Sequence, residues 1–169
     1  MSRLLRVGLL LLLLALAPVV AAQAPPAAEW RTFDGTWTAS GERQTLPTES
    51  GRPAGTFRLS GALALTGESG LSRGFRGEAL GYDNGAGVLV GRSVWTDERG
   101  DRVYSQLRSE TVATGRLVTG TITGGSGRYA GLLGEFTFEW QYIVPGEGGA
   151  ISGRAIGLRG RVRTPGAAR

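Results

Sequence analysis

From Trp30 onward, apolar and polar residues alternate with a period of two in short runs, and Gly, Asp, Asn and Pro clusters separate these runs. No apolar pattern persists at helical spacing. The runs predict eight strands, at about Trp30–Glu42, Thr56–Leu65, Ser72–Tyr82, Gly87–Thr96, Arg102–Val112, Arg116–Thr123, Gly134–Val144 and Ala150–Arg163. Their regular spacing and short turns favour an all-β fold, either a sandwich or a barrel. We expect an eight-stranded antiparallel up-and-down barrel, because closure leaves no strand edge unpaired.

The first 22 residues have the layout of a secretory signal peptide. Arg3 and Arg6 precede an apolar run over Leu9–Leu16, which is too short to span a bilayer, and small residues end at Ala22. Cleavage there predicts a periplasmic or secreted protein whose contact with the membrane is limited to the cleaved segment. The remaining chain divides into a Pro- and Ala-rich leader over 23–29, one barrel domain over 30–164 and a tail over 165–169.

Composition excludes several catalytic chemistries. The chain has no Cys, no His and no Lys, so every basic residue is Arg. A Ser-His-Asp triad, a cysteine nucleophile, a His/Cys zinc site, a Schiff base and a Walker A site are all impossible in one chain. Acid–base work by carboxylates, or polarisation by Arg, stays open. No cofactor and no metal are predicted.

The formal charge overstates how basic the folded protein is. It falls from +5 to +3 when Arg3 and Arg6 leave with the signal peptide. The remaining charges are mixed along the chain, as in Asp97-Glu98-Arg99-Gly100-Asp101-Arg102. This pattern is typical of a solvated surface, and it predicts no nucleic-acid partner.

A glycine-dense segment, from Gly124 to Gly131, separates the sixth and seventh predicted strands. Gly125-Ser126-Gly127 is similar to a phosphate-binding loop, which requires a helix to follow it. Here the next residues alternate aromatic and polar as Phe136, Phe138, Trp140 and Tyr142, so a strand follows and the nucleotide loop is disfavoured. The structural motif is instead Gly124, Gly125, Gly127, Tyr129 and Gly131. Its glycines suit a turn, and Tyr129 is expected to fold back and plug one barrel end.

The run Thr121-Ile122-Thr123-Gly124-Gly125-Ser126-Gly127-Arg128-Tyr129-Ala130-Gly131 resembles the barrel of allene oxide cyclase and dirigent proteins. The likeness is specific over about Leu117 to Phe138 and architectural elsewhere. It implies a calycin-like eight-stranded barrel with a mostly apolar lumen. The acidic and arginine motifs of the plant dirigent active site are missing, so the resemblance does not imply catalysis here.

Some charged positions share parity with apolar positions of the same strand and are candidates for the lumen. Arg92 has the same parity as Val90 and Val94, and Glu78 has the same parity as Leu80. Arg108 and Glu110 have the same parity as Tyr104. If these side chains face inward, Arg92 pairs with Glu78 or Glu110 and orients a polar ligand group. The alternative is that they lie on the outer face, with the other parity inside. The candidate ligand-binding residues are Arg92, Glu78, Tyr104, Phe138 and Trp140, the last two from an aromatic row that either lines a pocket or fills the core.

The last strand carries Arg159, Arg161 and Arg163 on one face and Ile156, Leu158 and Val162 on the other. This arginine ladder is interpreted as a solvated surface that discourages strand pairing, with an anionic glycan, a lipid headgroup or a partner protein as alternatives.

Three functional hypotheses follow. The first is an exported, non-catalytic barrel that binds a small apolar ligand in its lumen or an exported partner protein on its surface. The second is a cyclase or isomerase of the allene oxide cyclase-like type that acts by confinement with an Arg/Glu pair such as Arg92 and Glu78. The third is a structural component of the cell envelope that uses the arginine ladder.

Overall fold

The computed structural model describes residues 29–49, 51–112, 115–145 and 147–164. The predicted signal peptide, nearly all of the predicted leader and the predicted tail lie outside the described residues. Within the described ranges, no helix is both long and apolar enough to cross a membrane.

The described chain forms a closed barrel of eight antiparallel strands in sequential order, so the predicted fold is confirmed. Each strand pairs with the next, and the first strand pairs with the eighth to close the barrel. The strands are β1 (Arg31–Leu46), β2 (Ala54–Thr66), β3 (Gly74–Asp83), β4 (Leu89–Thr96), β5 (Arg102–Val112), β6 (Gly115–Gly125), β7 (Leu133–Pro145) and β8 (Ala150–Arg163). Two short 3₁₀ turns, Gly127–Tyr129 and Glu147–Gly149, lie between strands.

Most strand bounds agree with the predicted ones to within a few residues. The largest differences are in β1, which begins at Arg31 and continues through the irregular segment around Gly35 to Leu46. The irregularity comes from the partner strand β8, which carries one extra residue around Gly157. Gly157 has a φ of +62°. The pairing of β8 with β1 and with β7 shifts register near this residue. This bulge corrects one expectation, because Ile156 is exposed and does not share the buried face of Leu158 and Val162.

Aromatic rings fill the lumen, and strand glycines make room for them. Trp95 packs against Phe33, Phe75 and Phe136, while Trp37 packs against Phe138 and Trp140. Several of these rings lie across a glycine of a nearby strand. A Cβ on Gly120 would lie 2.0 Å from the Phe136 ring, and one on Gly153 would lie 2.4 Å from the Trp140 ring. Gly120 and Gly153 are therefore a packing requirement of the aromatic core.

On β3, β4 and β5 the inward-facing parity is the opposite of the one expected for the candidate charges. The inward positions of these strands include Gly77, Ala79, Ser93, Ser105 and Ser109. Several large apolar side chains face outward: Leu80 is 61% exposed and Tyr82 is 48% exposed. Since aromatic rings, among them Phe75 of β3 and Trp95 of β4, occupy the lumen, the other inward positions of these strands hold mostly smaller side chains.

The two ends of the barrel differ. At one end, which we call the plugged end, the turns β2–β3, β4–β5 and β6–β7 meet, and Tyr129 and Leu132 are buried there. The predicted role of Tyr129 as a plug is confirmed, since its side chain is only 3% exposed. The opposite end, which we call the cavity end, is formed where β1, β3, β5 and β7 finish.

Candidate functional site

A cavity of about 50 Å³ occupies the lumen at the cavity end. Its wall is mostly apolar, with Phe57, Leu59, Phe138 and Trp140 among the lining residues. A smaller space of about 20 Å³ lies deeper, against Trp95 and Phe136. The lumen is therefore filled by side chains over the plugged half and retains a pocket at the cavity end.

Three charged side chains belong to the wall of this cavity. Asp83, the last residue of β3, is inward-facing and its side chain is 6% exposed. Its Oδ2 lies 2.5 Å from Arg116 Nη2 and 3.5 Å from Arg43 Nη2, and its Oδ1 accepts a hydrogen bond from the Gly85 N–H at 3.0 Å. Two arginines thus share one carboxylate, and the group carries a net charge of +1.

Three buried polar atoms have no hydrogen-bond partner in the described part of the chain, and all three belong to residues that line this cavity. They are Trp37 Nε1, Ser109 Oγ and Arg116 Nη1. Buried polar atoms are nearly always hydrogen-bonded in native proteins, so such a concentration needs an explanation. Trp37 Nε1 lies against the backbone of Gly77, whereas Ser109 and Arg116 occupy inward positions on the neighbouring strands β5 and β6. The cavity wall therefore presents hydrogen-bond donors that the protein itself does not use.

The plugged end holds a second buried carboxylate, which has a structural role. The Asp97 side chain is 0% exposed and lies at the start of the β4–β5 turn. Its Oδ1 accepts hydrogen bonds from the N–H groups of Arg99 and Asp101, and its Oδ2 accepts from the Arg128 guanidinium and from the Tyr129 hydroxyl at 2.9 Å. The turn between β4 and β5 is thereby fixed to the 3₁₀ turn that follows β6.

Hydrogen bonding governs the ionisation of Asp97. Burial raises the pKa of this carboxyl, but the N–H of Arg99, the Arg128 guanidinium, the Tyr129 hydroxyl and the N–H of Asp101 all donate to it. Together these donors lower the pKa from 3.8 to about 2. Burial also raises the pKa of the Tyr129 hydroxyl, and the hydrogen bond to Asp97 raises it further. Asp97 is therefore ionised, and Tyr129 protonated, at neutral pH.

The structure separates the five predicted ligand-binding residues. Phe138 and Trp140 line the cavity, as expected for a luminal aromatic row. Arg92 and Tyr104 are exposed on the outer face, and Glu78 is half-buried there, with its carboxylate 3.1 Å from Arg76. The luminal Arg92–Glu78 pair is therefore wrong, and the alternative outward orientation is the one observed.

The arginine ladder of β8 faces outward, in agreement with its interpretation as a surface. Arg161 bonds to Glu135 at 2.7 Å, and the guanidiniums of Arg161 and Arg163 lie 4.6 Å and 4.7 Å from the centre of the Trp30 ring. Two of the three ladder residues thus already have partners in the protein.

The sequence contained signals for the residues that were missed. Asp83 has the same parity as Phe75 and Ala79, but it directly precedes Asn84-Gly85, a pair that is typical of a turn. Arg116 has the parity of Val118 and Ile122. Both charges lie at strand ends, where a long or turn-forming side chain is normally solvated, and only the closed barrel brings them together.

Comparison of the chain with protein-family models, with curated proteins and with solved structures gives no significant match. The likeness to allene oxide cyclase and dirigent barrels around Gly124–Gly131 therefore stays a prediction. Among the described residues, no group of three or more acidic side chains is placed to hold a metal ion.

Proposed function

We propose that the chain is an exported, non-catalytic binding protein that holds a small, largely apolar ligand at the cavity end of its barrel. The observation that carries this proposal is the apolar cavity whose wall contains three unpartnered polar atoms. Ligand pockets typically combine a hydrophobic wall with a few polar groups that fix orientation.

The size of the cavity limits the ligand. A cavity of about 150 Å³ accommodates benzene, and this one measures about 50 Å³. It therefore encloses a short apolar group, while the rest of the ligand lies nearer the mouth, where Tyr142 and Ile151 extend the wall.

The bonding of Asp83 favours binding over acid–base catalysis. Both of its oxygens already accept hydrogen bonds, one from Gly85 and one from Arg116. A general base must present a lone pair within hydrogen-bond reach of the substrate proton, whereas the lone pairs of Asp83 are directed at Gly85, Arg116 and Arg43. The carboxylate instead holds Arg116 and Arg43 in place at the wall.

Filling the cavity tests the proposal. Ala79 is 4% exposed and lines the cavity, so Ala79→Leu should place three carbons in the space that the ligand needs. We expect wild-type protein to bind members of a panel of small aliphatic and aromatic compounds, measured by calorimetry and by ligand-observed NMR. Ala79→Leu should weaken the binding of these compounds at least about tenfold, since an overpacked site excludes the buried group.

Ala62→Leu, on the exposed face of β2, is the matched control and should bind as wild type does. The proposal fails if no compound of the panel binds wild-type protein, or if Ala79→Leu folds and binds with unchanged affinity.

A further inference from the structure

Resting on the proposed function, we infer that the ligand of the cavity is a small amphipathic monocarboxylate, whose anionic end is bound by Arg116 and Ser109 and whose short apolar end enters the lumen. The inference concerns the chemistry of the polar end, which the apolar wall alone does not specify.

The unpartnered atoms indicate an acceptor on the ligand. A guanidinium nitrogen and an indole nitrogen only donate hydrogen bonds, and a serine hydroxyl donates as well as accepts. Ser109 Oγ and Arg116 Nη1 therefore offer two donors and no obligate acceptor, whereas Trp37 Nε1 lies against Gly77. A ligand that supplies lone pairs satisfies them, whereas an amine or an ammonium group does not.

The charge of the wall indicates an anion with a single charge. Asp83 neutralises one of the two arginines that it contacts, Arg43 and Arg116, and leaves one positive charge at the cavity. Among the described residues, no other acidic side chain lines the cavity. A monocarboxylate balances this charge, and the planar carboxylate geometry suits a guanidinium that has one nitrogen still free.

The strand register places the two donors close together. Ser109 on β5 is paired with Val118 on β6, and Arg116 is the next inward position along β6. Two residues along a strand span about 7 Å, a distance that the long arginine side chain covers. Ser109 is only 2% exposed, so its hydroxyl is shielded from bulk solvent, and it belongs to a residue that lines the cavity.

The test compares matched ligands: 3-methylbutanoate, its neutral amide and inorganic sulfate, with affinities measured by calorimetry at pH 7. Because hydrogen bonds to a charged group are about twice as strong as neutral ones, we expect wild-type protein to bind the carboxylate at least about tenfold more tightly than the amide. Sulfate, which lacks the apolar end, should bind much more weakly than the carboxylate.

Two variants assign the preference to residues. Arg116→Met keeps an unbranched apolar stem without the guanidinium and should reduce the preference for the carboxylate over the amide to within about twofold. Ser109→Ala removes a hydroxyl that has no partner, so it should fold normally and weaken carboxylate binding by about fivefold or more. Arg92→Met, on the outer face, is the control and should bind all three probes as wild type does.

The outcomes separate this inference from the proposed function. If the amide binds as tightly as the carboxylate, the cavity binds apolar ligands without recognising a negative charge. That result would overturn the inference of a monocarboxylate ligand but not the proposed function. If sulfate binds as tightly as the carboxylate, the site is an anion site with no role for the apolar wall. Unchanged affinity in Ser109→Ala would contradict the inference even if Arg116→Met does not fold.

Discussion

At the scale of single residues, the two buried carboxylates have different tasks. Asp97 accepts hydrogen bonds from four residues and fixes the turns of the plugged end. Asp83 leaves its arginine partner with a free nitrogen beside a cavity. The difference follows from the neighbours of each carboxylate, since a fully satisfied buried network rigidifies a structure, whereas an incompletely satisfied one is available to a ligand.

Asp97 should make the stability of the barrel depend on pH in the acidic range. Its folded pKa of about 2 lies below its ordinary value of 3.8, so its contribution to the free energy of unfolding is complete above about pH 4 and disappears as the pH falls toward 2. Asp97→Asn should be less stable than wild type at pH 7, by about 3 kcal/mol, because Arg128 loses its buried partner. Urea unfolding at several pH values measures both effects.

The acid-sensitive part of the stability curve should be largely missing in Asp97→Asn. Asp34→Asn, at an exposed position of β1, is the matched control and should keep the wild-type dependence on pH. An Asp97→Asn profile parallel to that of wild type between pH 4 and pH 2 would contradict this role.

Residue roles were the part that the sequence predicted least well. Tyr129 was correctly predicted as a plug, because an aromatic between glycines has few other uses in a barrel corner. The partner of its hydroxyl was not predicted, since Asp97 occurs in a segment of mixed charge that has the composition of a solvated turn. Burial of such a charge depends on donors from Arg128, which is distant along the chain.

At the scale of the strands, the glycines are of two kinds. At some, a neighbouring atom occupies the space that a Cβ would fill, and at others that space is empty. A Cβ on Gly61 of β2 would lie 1.9 Å from the carbonyl oxygen of Thr38 on β1, whereas a Cβ on Gly74 of β3 would meet no atom within 4 Å. Neither residue needs a positive φ. Comparing substitutions at Gly61 and Gly74 therefore measures the effect of close packing between strands separately from any effect of backbone conformation.

Gly61→Ala should destabilise the barrel by about 2–3 kcal/mol, because a backbone contact cannot move aside without disturbing the β1–β2 ladder. Gly74→Ala should leave stability unchanged or raise it by up to about 1 kcal/mol, since alanine restricts the unfolded chain more than glycine does. Chemical denaturation of the two variants and wild type provides the comparison. Equal destabilisation by both substitutions would show that loss of glycine itself, and not the contact, is responsible.

Strand positions were predictable from the period-two pattern, but the inward face of β3 to β5 was not. Hydrophobic parity assigns Leu80, Val90 and Tyr104 to the lumen, and the structure has them outside. Aromatic rings from β1, β3, β4 and β7 already fill much of the lumen, so the space that is left, and not hydrophobicity alone, decides which side chains of β3 to β5 face inward. The bulge at Gly157 was missed for a related reason, because one extra residue interrupts the alternation on which the prediction depends.

At the scale of the whole molecule, closure was predictable because eight evenly spaced strands with short connections leave no reason for an open edge. The pairing of β1 with β8 confirms it. The cavity was not predictable in the same way, since its volume is the small part of the lumen that many packed side chains leave empty. Small changes in packing decide whether such an empty volume exists.

Closure predicts uniform protection of the backbone amides. Those of β1 and β8 should exchange with deuterium about as slowly as those of the central strand β5, because each is hydrogen-bonded to neighbours on both sides. Exchange should be faster near Gly35 and Gly157, where the ladder shifts register. NMR-detected exchange resolves these amides individually. Rapid exchange along the whole of β1 or β8 would contradict a closed barrel in solution.

The plug formed by Tyr129, Arg128 and Asp97 has a kinetic consequence. A tube that is sealed at one end has a single route for exchange, so a guest must leave by the way that it entered. For the proposed ligand, the residence time is then set at the mouth of the cavity, by side chains such as Arg43 and Tyr142. Substitutions at the plugged end should change the stability of the barrel without changing the dissociation rate of the ligand.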